Sequence, residues 1–321
     1  MPEDRRGLPT VVEQWLHAHG IAKEDLLIVA MSAGRDSMAL GEALNRIGQN
    51  ILAAHVNYGL RGIDSDGDQA CVEAWSKRHQ VPLEVHKSIL QGDSEGTQSE
   101  ARRVRYVWME QLRQKQGTVS YIATGHHADD QAETLLLHLI RSADPLALSA
   151  MSDVSREGTL LRPFLGISRE EINAWVKSIG LEYRDDTNNT NPDYLRNRLR
   201  HEVLPLLESL RAGSGQHLAR LAERWRPLSN ELHQSLDAAR NRCFRFDDSG
   251  SGVLELDAWK QEPLADEILY RLAKDWKISA RAVPEIRALA QTDIRSGARF
   301  ETAHVLIFRE RNSLIWNQTP S

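Results

Sequence analysis

Four short apolar runs mark the first half of the chain: LLIVAM (26–31), ILAAHVNY (51–58), VPLEVHK (81–87) and VSYIATG (119–125). Segments with helical spacing separate them, around 36–48, 66–79 and 97–115. Strands alternating with helices predict βαβ units and a parallel sheet with both faces covered. The runs are nearly continuous rather than alternating, as expected for strands buried on both sides. After 165 the pattern changes. SREEINAWVKSIG predicts a capped helix, with Ser168 as N-cap, Glu171 three residues on and Gly180 closing it. DDTNNTNPD (185–193) is rich in turn formers, and from about 194 the chain reads mostly helical. RAGSGQ (211–216) is the best interdomain linker, and VLIFRERNSLIWNQ predicts a strand pair near the end. The expected fold class is α/β: a doubly wound parallel sheet over residues 1–210, then a smaller, mainly helical domain over 211–321.

Composition narrows the picture only slightly. The 321 residues carry 40 Lys and Arg against 45 Asp and Glu, a net charge of −5. Any nucleic-acid surface must therefore be a local patch. The two cysteines, Cys71 and Cys243, are far apart and form no C-x-x-C pair. That argues against a disulfide scaffold, a zinc ribbon or a cysteine-held cluster. MPEDRRGLPT has no apolar leader region, and LLLHLI is too short for a membrane span and contains His138. A cytoplasmic location, without membrane association, is expected.

Candidate chemistry begins at SAGRDS, Ser32 to Ser37, directly after the first strand. Ligands of open α/β sheets bind at the carboxyl edge, where such a turn lies. Small residues (Ser32, Ala33, Gly34) let backbone approach an anion, and the next helix points N–H groups at it. Asp36 would repel phosphate alone but suits a magnesium ion bridging phosphates. The turn thus reads as a phosphate cradle with a metal, or else as an ordinary capped helix start. No Walker sequence occurs.

In ATGHHADDQAETLLLHLI (123–140) a helix starting near His126 would bury Ala128, Ala132, Leu135 and Leu139. His126, Asp130 and Glu133 would lie on the opposite face, whose first turn meets the crevice of SAGRDS. An imidazole and two carboxylates there could bind a metal, orient a cation or move a proton. A solvated polar face and a transition-metal site are the competing readings. In SEARRVRY (99–106), Ala101, Val104, Trp108 and Leu112 make a buried stripe. Arg105 borders that stripe, Arg102 lies further out and Arg103 is more exposed. Arginine at a crevice edge suits phosphate. In NPDYLRNRLRHEVLPLL (191–207), Arg196 and Arg200 share a face and Asn197 and His201 the next. Leu195, Leu199, Val203 and Leu206 form the apolar side. The polar face suits an RNA backbone, or is a surface arginine stripe.

The order of MSAGRDS, AHVNYGLRG, SEARRVRY, ATGHHADDQAETLLLHLIR, LLRPFLGISREEI and DDTNNTNPDYLRNRLRHEVLPLL resembles the tRNA(Ile)-lysidine synthetase family of N-type ATP pyrophosphatases, the PP-loop enzymes, across about residues 26–207. The resemblance implies an adenine nucleotide α-hydrolase-like fold and a two-step reaction using ATP and Mg2+. It adenylates O2 of the wobble cytidine in an isoleucine tRNA with a CAU anticodon, and the ε-amine of L-lysine then displaces AMP at C2. It implies a pyrophosphate cradle from Ser32, Ala33, Gly34, Arg35, Asp36 and Ser37, with Asp36 near Mg2+ and adenine by HVNY. It implies catalytic roles for Asp36, Arg105, His126, Asp130 and Glu133, and RNA contacts from Arg102, Arg196, Asn197 and Arg200. A homodimer sharing an RNA surface is compatible with it.

The family pattern S-G-G-x-D-S has Ala33 here at its first glycine, and Tyr58 stands where histidine is frequent. A glycine-rich loop after the acidic helix is replaced by RSADPLALSAM, and the third domain of many members is not included in this sequence. Two rivals are a PP-loop enzyme acting on another acceptor and a degenerate paralogue that binds tRNA or nucleotide without turnover. Sulfur transfer is disfavoured by the missing cysteine pair, and amidation of a small molecule by the YLRNRLRHEV segment.

Overall fold

A computed structural model of the chain describes residues 7–59, 63–88, 95–117, 119–141, 144–155, 157–184, 195–248, 250–291 and 297–318. The chain divides into two compact units, Met1–Arg226 and Pro227–Ser321. The predicted turn cluster 185–193 lies outside the described residues.

The first unit begins with α1 (Leu8–Ala18). It continues through β1 (Leu26–Ala30), α2 (Arg35–Arg46), β2 (Ile51–Asn57), α3 (Ile63–His79), β3 (Leu83–Lys87), α4 (Glu95–Lys115), β4 (Ser120–Ala123), α5 (Ala128–Arg141), β5 (Leu160–Leu161) and α6 (Arg169–Ile179). The five strands pair in parallel in the order β3-β2-β1-β4-β5. The four predicted apolar runs are its first four strands. Leu27, Val29, Ile51 and Ala53 join one buried cluster with α1, α2, α3 and α6. Ile28, Leu52 and Ala54 join another with Leu112 of α4. Side chains alternate across a strand, so continuous apolarity serves both clusters. Chain order reverses between β1 and β4, which opens a crevice at their carboxyl ends.

Helix α6 starts and stops as expected. Ser168 Oγ accepts from Glu171 N, Glu171 reaches back to Ser168 N, and Gly180 closes the helix at φ +63°. Beyond the undescribed stretch come α7 (Leu195–Arg198), a π-helical turn (Leu199–Val203), α8 (Leu204–Leu210) and α9 (Ser214–Cys243). Residues 211–213 join α8 to α9, with Glu208 accepting from Gly213 N and Gly215 N. They belong to the first compact unit, whose division from the second falls within α9.

The second unit contains β6 (Phe244–Phe246), β7 (Gly252–Glu255), α10 (Leu256–Gln261), α11 (Ala265–Asp275), α12 (Val283–Leu289), β8 (Arg299–Glu301), β9 (Val305–Glu310) and β10 (Ser313–Gln318). The predicted strand pair is the β9–β10 hairpin, within a five-stranded antiparallel sheet ordered β6-β7-β10-β9-β8. Leu254, Leu314 and Trp316 of the sheet and Ile268, Leu269 and Leu272 of α11 are fully buried. Both cysteines are free thiols. No helix among the described residues is long and apolar enough to cross a membrane.

Two predicted apolar faces differ from the structure. Ala128, Ala132 and Leu135 are buried, but Leu139 is 55% exposed because the last turn of α5 runs past the core. In the later segment Leu199 is buried and Leu206 is exposed. The π turn at 199–203 adds a residue to the helical repeat, so the i, i+4, i+7 stripe drifts out of register.

Candidate functional site

The SAGRDS turn sits at the crevice edge, between β1 and α2. Ala33 has φ +64°, the left-handed region, and its methyl group is fully buried. Its carbonyl accepts from Arg184 N at 2.9 Å. Ser37 Oγ closes the turn by accepting from Ser32 N at 3.0 Å and donating to the Gly34 carbonyl at 2.8 Å. An L-residue in this conformation is strained by about 1–2 kcal/mol. Ala33→Gly relieves that strain but loses a buried methyl worth about 0.8 kcal/mol. Glycine also frees the unfolded chain by about 0.4–1 kcal/mol, so the variant's urea midpoint is expected to stay within about 1 kcal/mol of wild type; a larger loss would contradict strain at this position.

Gly125 brings the β4–α5 loop onto this turn. A Cβ there would stand 2.7 Å from the Asp36 carbonyl oxygen and 3.1 Å from Ser37 N. The close approach carries the two histidines that follow to the phosphate turn. Helix α5 starts at Ala128, so His126 and His127 belong to the loop before it rather than to a helical face. His126 pairs through Nδ1 with Thr124 Oγ1 at 2.8 Å. The buried His127 has Nε2 3.5 Å from both Asp36 and Asp130. Burial works against its protonation, but Asp130 and the hydrogen bond to Asp36 hold its pKa above the ordinary value. Asp36 responds in kind: burial raises it, and His127 and Arg35 more than offset that.

Asp130 and Glu133 form no solvated face. The Glu133 side chain is 1% exposed and accepts from Arg200 Nε at 2.5 Å and from Arg196 Nε at 3.0 Å. Asp130 accepts from Arg200 at 3.0 Å and from His127 N at 3.1 Å. Arg196 and Arg200 thus bring α7 and the π turn onto α5.

On the opposite wall Arg105 donates to the Tyr58 hydroxyl at 3.1 Å, and that hydroxyl donates to the Ala101 carbonyl at 2.8 Å. Tyr58 therefore holds Arg105 at the crevice. Arg102 is exposed and lies over the Tyr106 ring, and Arg103 pairs with Glu100 on the surface.

The crevice has a volume of about 660 Å³. Ser32, Gly34, Arg35, Asp36, Ser37, Arg105, His126, Asp130 and Arg200 line it. Ala33, Arg102, Glu133, Arg196 and Asn197 do not; Ala33 and Glu133 lie behind its wall, and Asn197 is buried. Five arginines face three aspartates across it, a balance that favours a polyanion. Sequence reasoning included His55 only as part of HVNY and passed over Gly125 and His127. A glycine between a strand and a helix start was the one available signal.

Two neighbouring groups, His126 and Asp130, give the site an acid response. Burial drives the His126 pKa from 6.5 to about 3, with Arg102, Arg162 and Arg196 adding to it and Asp130 opposing. Burial raises Asp130, yet His127, His126 and the two arginines bring it down from 3.8 to about 2. Both folded values lie below the unfolded ones. Their stabilisation is present above the unfolded value and is lost as pH falls, from 6.5 for His126 and from 3.8 for Asp130. The raised His127 contributes in the opposite sense, present at low pH and lost as pH rises through its folded value. The urea midpoint is expected to drop between about pH 7 and about pH 4 in the wild type and less in His126→Gln. Equal drops would place the acid sensitivity elsewhere.

The parallel sheet, its switch-point crevice and the serine-bounded turn define the class. A family model described as "PP-loop domain" matches residues 8–207, and the chain belongs to that family. Curated relatives named tRNA(Ile)-lysidine synthase include those of Geobacter sulfurreducens, 34% identical over 92% of this chain and 66% of that protein, and Porphyromonas gingivalis, 31% identical over 95% and 65%. The Bacillus subtilis protein of the same name is 38% identical over 61% of this chain and 44% of its own length. The chain thus spans just under two thirds of the length of the first two. Among solved structures, the U34-tRNA thiolase NcsA from Methanococcus maripaludis shares the fold, with TM-score 0.56, 18% identity, and coverage of 68% of this chain and 78% of that one.

Proposed function

We propose that the protein ligates free L-lysine to C2 of the wobble cytidine of an isoleucine tRNA with a CAU anticodon, converting ATP to AMP and diphosphate. One observation carries the reading: Arg200, from YLRNRLRHEV, enters the same crevice as the SAGRDS turn and the acidic helix. The names of the relatives support the reaction. Residues 1–210 would carry the chemistry and 211–321 would bind RNA.

Cytosine O2 attacks the α-phosphorus and the bond to diphosphate breaks. The lysine ε-nitrogen then attacks C2, the C2–O bond breaks, AMP leaves and the nitrogen sheds a proton. ATP is required because a ring carbonyl oxygen is a poor leaving group and a phosphoryl ester is a good one. The unpaired N–H groups of the first turn of α2 and the Ser32–Ser37 hydroxyl pair would hold the diphosphate portion. Arg105 would offset charge during phosphoryl transfer. Asp130 reaches the crevice and would orient the lysine ammonium. Glu133, saturated by Arg196 and Arg200, would position it. His126, neutral in the crevice, would accept a hydrogen bond rather than add charge.

Among the described residues no group of three or more His, Cys, Asp or Glu is arranged to hold a metal. A lone carboxylate with phosphate oxygens and water is a donor set Mg2+ accepts, so Asp36 fits Mg2+ that arrives with the nucleotide. When bound it supplies charge neutralisation on the phosphates.

The test is lysine incorporation. Protein, Mg-ATP, radiolabelled lysine and the isoleucine tRNA transcript are mixed, with the elongator methionine tRNA, which shares the anticodon, as control. Label entering the isoleucine tRNA alone is the expected result. No label with tRNA binding intact would make the chain a degenerate paralogue.

A further inference from the structure

Helix α3 carries a glycine, Gly67, in its second turn. Glycine weakens a helix interior relative to alanine, so the position needs a reason. A Cβ on Gly67 would stand 2.8 Å from Arg184 Cζ, 2.9 Å from its Nη1 and 3.0 Å from its Nη2. The guanidinium therefore lies on the bare helix. Its Nε donates to Asp68 at 2.8 Å, and its Nη2 is 3.5 Å from Asp64. Arg184 ends a strap, residues 181–184, that runs from α6 past the phosphate turn. Leu181 packs on the main core, Glu182 pairs with Arg78 at 3.0 Å, and the Arg35 guanidinium lies over the Tyr183 ring at 5.9 Å.

The strap meets the turn at one bond, from Arg184 N to the carbonyl of the left-handed Ala33. The peptide joining Ala33 to Gly34 is planar and trans, so its N–H points opposite to its carbonyl, away from the strap. Gly34 lines the crevice, and its N is 3.4 Å from Ser32 Oγ, a long contact that an anion can replace. If Ala33 left the left-handed region, as an L-residue prefers, the flanking peptide planes would turn and this donor with them. We propose that Arg184 is a positioning residue: seated on Gly67, it holds the strained Ala33 so that the Gly34 N–H faces the diphosphate portion of ATP. The assignment rests on the ATP phosphates binding in the turn, as in the proposed reaction.

Gly67→Ala in the full chain tests this without altering the turn itself. The atoms nearest the new methyl are the far end of a flexible side chain, so α3 keeps its shape and gains helix propensity. Its urea midpoint is expected at or above wild type. Its equilibrium affinity for Mg-ATP and for inorganic diphosphate should fall about fivefold. Left-handed strain in an L-residue is a factor of about five to thirty, and an exposed ion pair restrains only the lower part of it. Adenosine, which has no phosphate, should bind as to wild type. Arg184→Ala should reproduce the loss. With Ala33→Gly in place, either substitution should cost about twofold or less, because glycine holds the left-handed conformation unaided. A merely structural contact would give equal losses in both backgrounds. That result, unchanged diphosphate binding in either variant, an equal loss of adenosine, or no diphosphate binding by the wild type would each overturn the assignment. Lysine incorporation is scored separately: its absence with this coupling intact overturns the proposed reaction and upholds Arg184.

Discussion

Gly125→Ala is expected to lose about 2–3 kcal/mol of stability and about 100-fold in lysine incorporation. The new Cβ would stand 2.7 Å from the Asp36 carbonyl oxygen, 2.9 Å from its carbonyl carbon and 3.1 Å from Ser37 N. These are backbone atoms in the first turn of α2, so no side-chain rotation relieves the contact. The loop and the helix must separate. That separation moves His126 and His127 away from Asp36, and a misplacement of about 1 Å is enough for the expected loss of rate. Gly117→Ala is the control, because nothing lies within 4 Å of a Cβ there. Urea unfolding and initial rates measure both variants. A Gly125→Ala protein with wild-type midpoint and rate would show that the close approach has no part in the site.

The second large effect is expected at Glu133→Ala. The carboxylate is almost fully buried and takes hydrogen bonds from Arg200 at 2.5 and 2.9 Å and from Arg196 at 3.0 Å. Removing one partner of a buried ion pair typically costs about 3–5 kcal/mol. Here both arginines keep some solvent contact and reach Asp130, at 3.5 Å from Arg196 and 3.0 Å from Arg200. The expected loss is therefore about 2 kcal/mol. Lysine incorporation should fall by about tenfold or more through KM for lysine, because the released arginines compete for Asp130. Nucleotide binding, held at the Ser32–Ser37 turn, should not change. Glu133→Gln keeps the shape and loses the charge, and should fall between. An unchanged midpoint together with an unchanged KM for lysine would remove Glu133 from the positioning of the site.

The sheet was legible because its central strands β1 and β2 are short apolar runs, as burial on two faces requires, while the half-exposed edge strand β3 keeps only Leu83 and Val85 apolar. The capped ends of α6 were legible because Ser168, Glu171 and Gly180 act within one turn of backbone. The crevice was legible as a place: a turn of small residues after the first strand and a polar helix start after the fourth must both reach the carboxyl edge. The motif order, read as a resemblance, added the reaction to that place.

Other features were beyond a one-dimensional pattern. Periodicity put Asp130 and Glu133 away from the apolar stripe, which is correct, yet it could not show that a second polar element covers them. The covering arginines come from a segment some 65 residues later. The π turn that shifts that segment's register leaves no compositional mark. His126 and His127 are identical in sequence terms, and they acquire opposite pKa shifts because burial of His126, with three arginines adding to it, outweighs Asp130, whereas Asp130 and Asp36 together outweigh the burial of His127.

By itself, then, the sequence determined the strands, the capped helix, the phosphate turn and the families of residues that could meet there, because these follow from local backbone preference and burial period. The tertiary structure alone decided that Ala33 is left-handed, that Gly125 touches α2, that Glu133 is latched and that Arg184 lies on Gly67. Each of those depends on atoms brought together from distant parts of the chain, and no local property of a residue encodes its partner.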